Sequence, residues 1–392
     1  MRVFKIIIII FLFGVLMISE ATSTNIRFAA TESEFPLDEW TISSPEDENM
    51  SSEHLQDMLE YINENMLSIN SIVIVRHGRI VLEQYYDFFD ENTSMNIFSC
   101  TKTVTSMLVG IAIDQGYISN TSVPILPYFA DRDIQNMDDW KQAITLEDLL
   151  TMRAGFDWDD NSDAGMSEYN QMLRSADWVQ FVLDRPMSYA PGTVFNYNSG
   201  ASLLLSAIIQ NATGMTADEF AGIHLFEPLG ISEYHWRENS QGITIGGNTL
   251  TLRPRDMAKL GLLLLHNGTW GTNQIISSGY VREATMTHTI AFYGLGYGYQ
   301  IWTHDSIGVY QAMGYAGQYI FVAPEYDLVT VFTATSGWSN TAMEDWIIPS
   351  ILEFTVNTNQ VDILLVGIIL TATIPTILAL VYYFRIRGRS VS

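Results

Sequence analysis

A serine and a lysine three residues apart are the first pair in this sequence that can do chemistry. Ser99 and Lys102 stand where a segment with helical apolar spacing begins. A serine at a helix N-terminus sees the positive end of the helix dipole, and a residue three positions further lies on the same face. If burial lowers the pKa of the Lys102 amine, the amine can take the hydroxyl proton and activate a nucleophile. The alternative, a capping serine beside a solvated lysine, stays open for this pair alone.

Two later segments offer the remaining parts of such a site. Tyr197 and Ser199 lie in a polar turn ahead of an apolar helix, where a tyrosine next to a lysine can serve as a second acid or base. A plain surface tyrosine is the alternative. The run Gly314 to Gln318 leads into a β-branched and aromatic stretch. Its glycines let a substrate approach the backbone, and an N–H at a strand edge can bind an oxyanion.

In this order, the three segments resemble the serine β-lactamase and DD-peptidase superfamily, closest to class C β-lactamases and the related esterases and aminohexanoate-oligomer amide hydrolases. Ser99 to Lys102 matches S-x-x-K, and Tyr197 to Ser199 matches Y-x-N in its Y-x-S form. The resemblance covers about residues 71 to 335. It implies an α/β (α+β) fold of the β-lactamase/transpeptidase type. An antiparallel sheet built from both termini would be flanked by helices and carry a helical subdomain.

The resemblance also implies roles for single residues. Ser99 would be the nucleophile and Lys102 its base. Tyr197 would carry the proton to the leaving group and activate the deacylating water, while Ser199 would hydrogen-bond Lys102 or the substrate. The backbone N–H groups of Ser99 and Tyr315 would form the oxyanion hole. No metal and no cofactor is implied.

The third motif departs from the family pattern. Its place is Ala312-Met313-Gly314, or Tyr315-Ala316-Gly317 in a shifted register, and neither offers the Lys or His of K-T-G or H-x-G. A buried anionic group of the substrate would then lack a partner, which costs a few kcal/mol. This favours a small-molecule ester or amide without a required carboxylate. A cell-wall DD-peptidase, a β-lactamase, and a non-catalytic binding or penicillin-sensing module of the same fold are the alternatives.

The two ends of the chain differ from its middle. Residues 1–23 have a basic start, 13 apolar or glycine residues and a small-residue stretch, which predicts a secretory signal peptide. An uncleaved anchor is the alternative there. Residues 363–384 form an uncharged run of 22 residues, about 33 Å as a helix, and the tail 385–392 carries three Arg. We therefore expect a single-pass protein of the cell membrane with its catalytic domain outside and its tail in the cytoplasm.

Net charge and residue counts exclude several kinds of binding partner and site. The net charge of −25 argues against nucleic acid, which needs a basic face. The one cysteine, Cys100, excludes an intrachain disulfide and cysteine-rich metal sites. We expect it to be a buried, inert thiol, because it points about 100° away from Ser99 on the helix. The seven His show no metal-ligand spacing. The oligomeric state is left open.

Between the ends, the sequence predicts a polar leader (24–50) and one catalytic domain (51–357) rather than two. Helices are predicted at 53–66, 99–115, 145–152, 175–183, 201–210, 255–266 and 343–354, the last leading to the membrane. Strands are predicted at 72–75, 80–83, 319–322 and 328–335, the first two as a hairpin.

An acidic loop lies between the first two motifs. The five oxygen-bearing positions of a calcium-binding loop fall on Asp157, Asp159, Asn161, Asp163 and Glu168. Position six, however, is Ser162 rather than the glycine that the turn requires, so a solvated loop is favoured. If the loop borders the cleft, Trp158 and Tyr169 would line a substrate pocket.

Overall fold

A computed structural model of the chain describes residues 35–36, 39–160, 167–336 and 341–352. The predicted signal peptide, the predicted span at 363–384 and the tail at 385–392 lie outside these residues. Within the described part of the chain, no helix is both long and apolar enough to cross a bilayer.

The described residues form ten α-helices and twelve strands. The helices are α1 (Ser52–Glu64), α2 (Cys100–Asp114), α3 (Asp139–Ala143), α4 (Leu146–Leu150), α5 (Glu168–Arg174), α6 (Trp178–Leu183), α7 (Ser199–Thr213), α8 (Ala217–Ala221), α9 (Pro254–Leu265) and α10 (Ser278–Thr285). The strands are β1 (Ile69–Arg76), β2 (Arg79–Tyr85), β3 (Met95–Asn96), β4 (Thr251–Leu252), β5 (Thr269–Trp270), β6 (Asn273–Gln274), β7 (Thr289–Ile290), β8 (Gly296–Tyr297), β9 (Trp302–His304), β10 (Val309–Gly314), β11 (Gln318–Ala323) and β12 (Leu328–Ala334).

One eight-stranded sheet organises the molecule, in the order β2-β1-β12-β11-β10-β9-β8-β7. Every neighbouring pair is antiparallel. The early strand β1 lies beside the late strand β12, with Ile72 opposite Phe332. The expectation of a sheet built from both ends of the domain is therefore confirmed.

Strand β1 is buried on both of its faces. Because side chains alternate along a strand, Val73 and Val75 enter one apolar cluster, while Ile72 and Ile74 enter a second on the opposite face. The first cluster contains the buried faces of α2, α7 and α9, and the second contains α1 and the turns at 343–351. The domain thus has helix, sheet and helix layers, with α2 packed against the sheet.

The helical subdomain lies between α2 and β4. Gln300, which precedes β9, joins it to the rest because its buried side chain has partners on two helices. Its Nε2 donates to Leu149 O at 3.0 Å, and its Oε1 accepts from Ser202 Oγ at 2.7 Å. Thr103 of α2 donates to the Gln300 carbonyl at 2.9 Å. These bonds fix α2, α4 and α7 relative to one another, which matters because α2 and α7 begin at the two predicted motifs.

The structure differs from the predictions at the sheet edge and near the ends. Strands β3 to β9 have two or three residues each, too short to give a periodic signal. The described part of the predicted helix at 343–354 is a π-type turn (Met343–Ile347) and a 3₁₀ turn (Ile348–Ser350), after which Ile351 pairs with Met50. Met50 is fully buried, so the last residues of the predicted leader pack onto the domain.

Candidate active site

Ser99 immediately precedes α2, and the backbone before it is constrained. Phe98 has a φ of 45°, a left-handed conformation that costs a residue with a side chain about 1–3 kcal/mol. Two bonds hold it, from Phe98 N to Asn96 Oδ1 at 2.8 Å and from Ile97 N to Leu250 O at 2.9 Å. Such strain is retained where the surroundings enforce it, and here it sets the position of the Ser99 hydroxyl.

Lys102 reaches back to Ser99 as its spacing predicts. Its Nζ lies 3.3 Å from Ser99 Oγ, 3.1 Å from Ser199 Oγ and 2.7 Å from the carbonyl oxygen of Gly247. The side chain is only 2% exposed, which excludes the alternative of a solvated lysine. Three oxygen atoms from three segments therefore surround one buried amine.

Burial lowers the pKa of Lys102 to about 8. The main cause is desolvation, which disfavours the ammonium, while the negative charge of Asp160 acts in the opposite direction. At pH 7, roughly a tenth of the molecules then carry the neutral amine, against fewer than about one in a thousand for an ordinary lysine. The group can act as a base near neutral pH.

Tyr197 covers this amine with its ring. Lys102 Nζ lies 4.9 Å from the ring centroid, and Trp302 stacks on the same ring at 5.9 Å between centroids. Desolvation raises the pKa of the Tyr197 phenol well above its usual range, although a hydrogen bond with Ser99 partly opposes the shift. The phenol is therefore protonated at neutral pH, so it is placed to donate a proton next to Ser99.

Ser199 begins α7 and connects Lys102 with Asp160. Its Oγ donates to Asp160 Oδ2 at 2.6 Å while lying 3.1 Å from Lys102 Nζ. Its backbone N–H lies 3.2 Å from both carboxylate oxygens. The indole N–H of Trp158 donates to the same carboxylate, which thus accepts from three donors.

The end of β10 lies against the residues that lead into α2. A Cβ on Gly314 would lie 2.4 Å from Ile97 O, so no other residue fits this approach without a shift. The next residue, Tyr315, is 77% exposed, and its ring packs edge-on against Phe98 at 5.6 Å. Among the described residues, no acceptor is found for the backbone N–H of Ser99 or of Tyr315. Both N–H groups are available to an oxygen atom of a substrate.

A family model described as Beta-lactamase matches residues 70–347, which is most of the chain and includes every residue of this site. The chain belongs to the beta-lactamase family. The predicted recognition and the predicted class of enzyme, a serine hydrolase related to β-lactamases, are confirmed at this level.

Sequence relatives agree with this assignment. The chain is 22% identical over 300 residues to the 6-aminohexanoate-dimer hydrolase of Paenarthrobacter ureafaciens. This alignment covers 71% of this chain and 74% of that protein. It is 24% identical over 196 residues to protein flp of Staphylococcus aureus strain MW2, covering 46% of this chain. That second alignment spans only 38% of the length of protein flp.

Solved structures confirm the fold. A putative 6-aminohexanoate-dimer hydrolase from Bacillus anthracis has a TM-score of 0.66 at 19% identity, covering 81% of this chain and 88% of its own. A putative beta-lactamase from Bacteroides dorei DSM 17855 has a TM-score of 0.64 at 16% identity, covering 77% and 99%. The expected β-lactamase/transpeptidase-like fold is therefore present in this family member.

The predicted site residues come together in the structure. Ser99, Lys102, Tyr197 and Ser199 are linked by the contacts above, and the turn after Gly314 lies beside them. Their proposed chemical roles remain predictions. The contacts of Cys100 agree with an inert thiol, because it is fully buried, its Sγ lies 3.4 Å from Gln318 O, and burial raises its pKa.

The acidic loop contributes in a way that the sequence did not predict. Trp158 is buried and holds Asp160, instead of lining an open pocket. Tyr169 accepts a hydrogen bond from Asn248 Nδ2 at 2.7 Å, next to Gly247. Of the calcium-pattern residues, Asp157 and Glu168 pair with Arg185, and Asn161 and Asp163 lie outside the described residues. The calcium hypothesis stays untested.

Two residues of the site were missed by sequence reasoning. Asp160 is one carboxylate among several in the loop, and its spacing to Ser199 follows no known motif. Gly247 acts through its carbonyl oxygen, which every residue has. The pair Gly246-Gly247 was the one available signal, because consecutive glycines often mark a close backbone approach.

Proposed function

We propose that this family member is a serine hydrolase that forms an acyl-enzyme on Ser99 with an uncharged ester or amide. The observation that carries the proposal is the buried Lys102 amine, with a pKa lowered to about 8, lying 3.3 Å from Ser99 Oγ. A nucleophilic serine needs an adjacent base that is partly neutral at working pH, and this pair provides one.

The first step moves one proton and forms one bond. Lys102 takes the proton from Ser99 Oγ as the oxygen attacks the carbonyl carbon of the substrate. The electron pair of the C=O bond moves onto its oxygen, which the N–H groups of Ser99 and Tyr315 stabilise. As the bond to the leaving group breaks and the C=O bond re-forms, the Tyr197 phenol gives that group a proton and takes one back from the Lys102 ammonium. Water then attacks the acyl-enzyme by the reverse sequence.

The surroundings of Ser99 favour an uncharged substrate. Residues 312–318 carry no Lys, Arg or His, so this side of the site has no cation for a carboxylate. Next to Tyr197 the site is aromatic, because Trp302 stacks on the Tyr197 ring and Phe292 packs against Trp302 at 6.4 Å and against Phe195 at 5.4 Å. Phe292 is 47% exposed, so this wall is open to an apolar group. A carboxylate placed there would lose its hydration without gaining a partner.

Matched esters test the substrate proposal. We expect p-nitrophenyl butyrate to exceed p-nitrophenyl hemisuccinate in kcat/KM by at least about tenfold, since a desolvated and unpaired carboxylate costs more than about 1.4 kcal/mol. The measurement is the initial rate of nitrophenol release by residues 24–360, with a cephalosporin and a D-alanyl peptide included. Preference for the hemisuccinate, or turnover of the peptide alone, would favour the DD-peptidase alternative. Binding without turnover of any compound would favour a sensing module.

We also propose that the protein is exported and held in the cell membrane by residues 363–384. Support comes from the sequence alone, in the long uncharged run followed by three Arg. Protease added to intact cells is expected to digest the catalytic domain, and a chain ending at residue 360 is expected in the medium. Protection of the domain until the cells are lysed would contradict the proposal.

A further inference from the structure

The neutral Lys102 amine has as many hydrogen-bonding positions as oxygen neighbours, so each neighbour must take one position. A neutral primary amine has two N–H donors and one lone pair, and Nζ has three oxygen atoms around it. The Gly247 carbonyl can only accept, so it takes one N–H. One N–H and the lone pair remain for the hydroxyls of Ser199 and Ser99. Catalysis requires the lone pair to face Ser99, but each hydroxyl can either donate or accept.

Asp160 removes this ambiguity. Its Oδ2 lies 2.6 Å from Ser199 Oγ, and a carboxylate is an acceptor only. The Ser199 hydroxyl therefore donates its single hydrogen bond to Asp160, and it can only accept a hydrogen bond from Lys102. The carboxylate itself is held by the indole N–H of Trp158 and the backbone N–H of Ser199. With both N–H groups of Lys102 used, the lone pair is left for the Ser99 hydroxyl.

We infer that Asp160 is a positioning residue that orients the Ser199 hydroxyl and thereby aims the Lys102 lone pair at Ser99. The inference rests on the proposed function and deepens it, because it gives a role to the carboxylate that contacts Ser199, the serine of the Y-x-S motif. Without Asp160, the Ser199 hydroxyl can turn and donate to Lys102. It would then compete with Ser99 for the one lone pair.

The charge of Asp160 has a second effect that the test must separate. The groups that bear on the titration of Lys102 are Asp160 and Cys100, and the Tyr197 ring faces it. Asp160 opposes the lowering of the Lys102 pKa, so its removal moves the acid limb of the rate profile to lower pH. At the alkaline plateau, however, Lys102 is neutral in every variant. Differences in kcat/KM at that plateau report the direction of the hydrogen bond and not the pKa.

A double-mutant cycle at the plateau tests the inference. The enzymes are wild type, Asp160→Ala, Ser199→Ala and the double variant, with kcat/KM for p-nitrophenyl butyrate expressed per titrated active site. We expect Asp160→Ala to lower kcat/KM by about 10–100-fold, because the lone pair of Lys102 no longer points at Ser99 in every molecule. In the Ser199→Ala background, where no competing hydroxyl exists, the same change is expected to cost less than about threefold. Asp157→Ala is the matched control from the same loop and is expected to keep the plateau.

Two results would overturn the inference. One is a full plateau in Asp160→Ala. The other is an equal loss in both backgrounds, which would mean that Asp160 only supports the loop and the start of α7. If Asp160→Ala does not fold, Asp160→Asn replaces it, since its carbonyl oxygen can still accept from Ser199. That variant is expected to lose no more than about threefold, and a loss above tenfold in folded enzyme would contradict the inference. A wild type without turnover would instead refute the proposed function.

Discussion

Replacing Lys102 by methionine is expected to lower kcat/KM for an uncharged ester by about 10³-fold or more. Methionine has nearly the same length and fills the same buried space, but its thioether sulfur is far too weakly basic to take the Ser99 proton. General-base catalysis by a positioned group typically contributes about 10²–10⁴-fold. Among the described residues, the other side chain that contacts Ser99 is the protonated Tyr197 phenol, which cannot serve as a base. The loss should appear in kcat, because the ground-state contacts of the substrate are unchanged.

Lys141 supplies a matched control for this substitution. It is also fully buried, its Nζ donates to the carbonyls of Gln135 and Leu183, and burial lowers its pKa. Lys141→Met removes the same charge from the subdomain, so it is expected to reduce stability while the folded enzyme keeps its kcat. The check is steady-state kinetics together with thermal unfolding of both variants. Equal kcat losses in Lys102→Met and Lys141→Met would show that the effect is structural.

Replacing Ser99 by alanine is expected to remove ester turnover to below about 10⁻⁴ of wild type, because the acyl-enzyme cannot form. Ser99 is partly exposed and its Oγ makes few contacts, so the fold should tolerate the change. Ser106, two turns further along α2, offers the control. Its Oγ is buried and lies 3.1 Å from the hydroxyl of Tyr280, away from the site.

The two serine variants separate chemistry from stability. Ser106→Ala is expected to cost about 1 kcal/mol of unfolding free energy, the usual size of a lost buried hydrogen bond, and to keep its turnover per folded molecule. Ser99→Ala is expected to keep the unfolding free energy of wild type and to lose turnover. Denaturant unfolding and burst kinetics of nitrophenol release give both quantities. A burst of wild-type size in Ser99→Ala would mean that another group is the nucleophile.

Apolar spacing and turn residues in the sequence predicted the elements that depend on neighbouring residues alone. The hairpin of β1 and β2 turns at His77 and Gly78, both with positive φ, which is the two-residue turn that matches strand twist. The helices α2 and α7 follow from apolar residues three and four apart. The resemblance to a family then placed these helices and the last two strands beside each other.

The rest depends on contacts that no local pattern encodes. Asp160 reaches Ser199 across 39 positions, and Lys102 reaches Gly247 across 145. Their roles depend on the direction of each hydrogen bond around Lys102 and Ser199. These directions can be worked out only when all partners are in place. The short strands β7 to β9 likewise form because β10 offers an edge to pair with, while their own sequences are too short to specify a strand.

The central claim is that Ser99 attacks with the help of a neutral Lys102, and one measurement tests it most directly. It is the pH dependence of covalent labelling by a fluorophosphonate, with the labelled peptide identified by mass spectrometry. The rate is expected to rise as pH increases through about 8, where Lys102 loses its proton, and to fall about tenfold per unit well below that value. The label should be on Ser99, and Lys102→Met should show no such rise. Labelling that stays constant from about pH 6 to pH 10, or a label on another residue, would contradict the account.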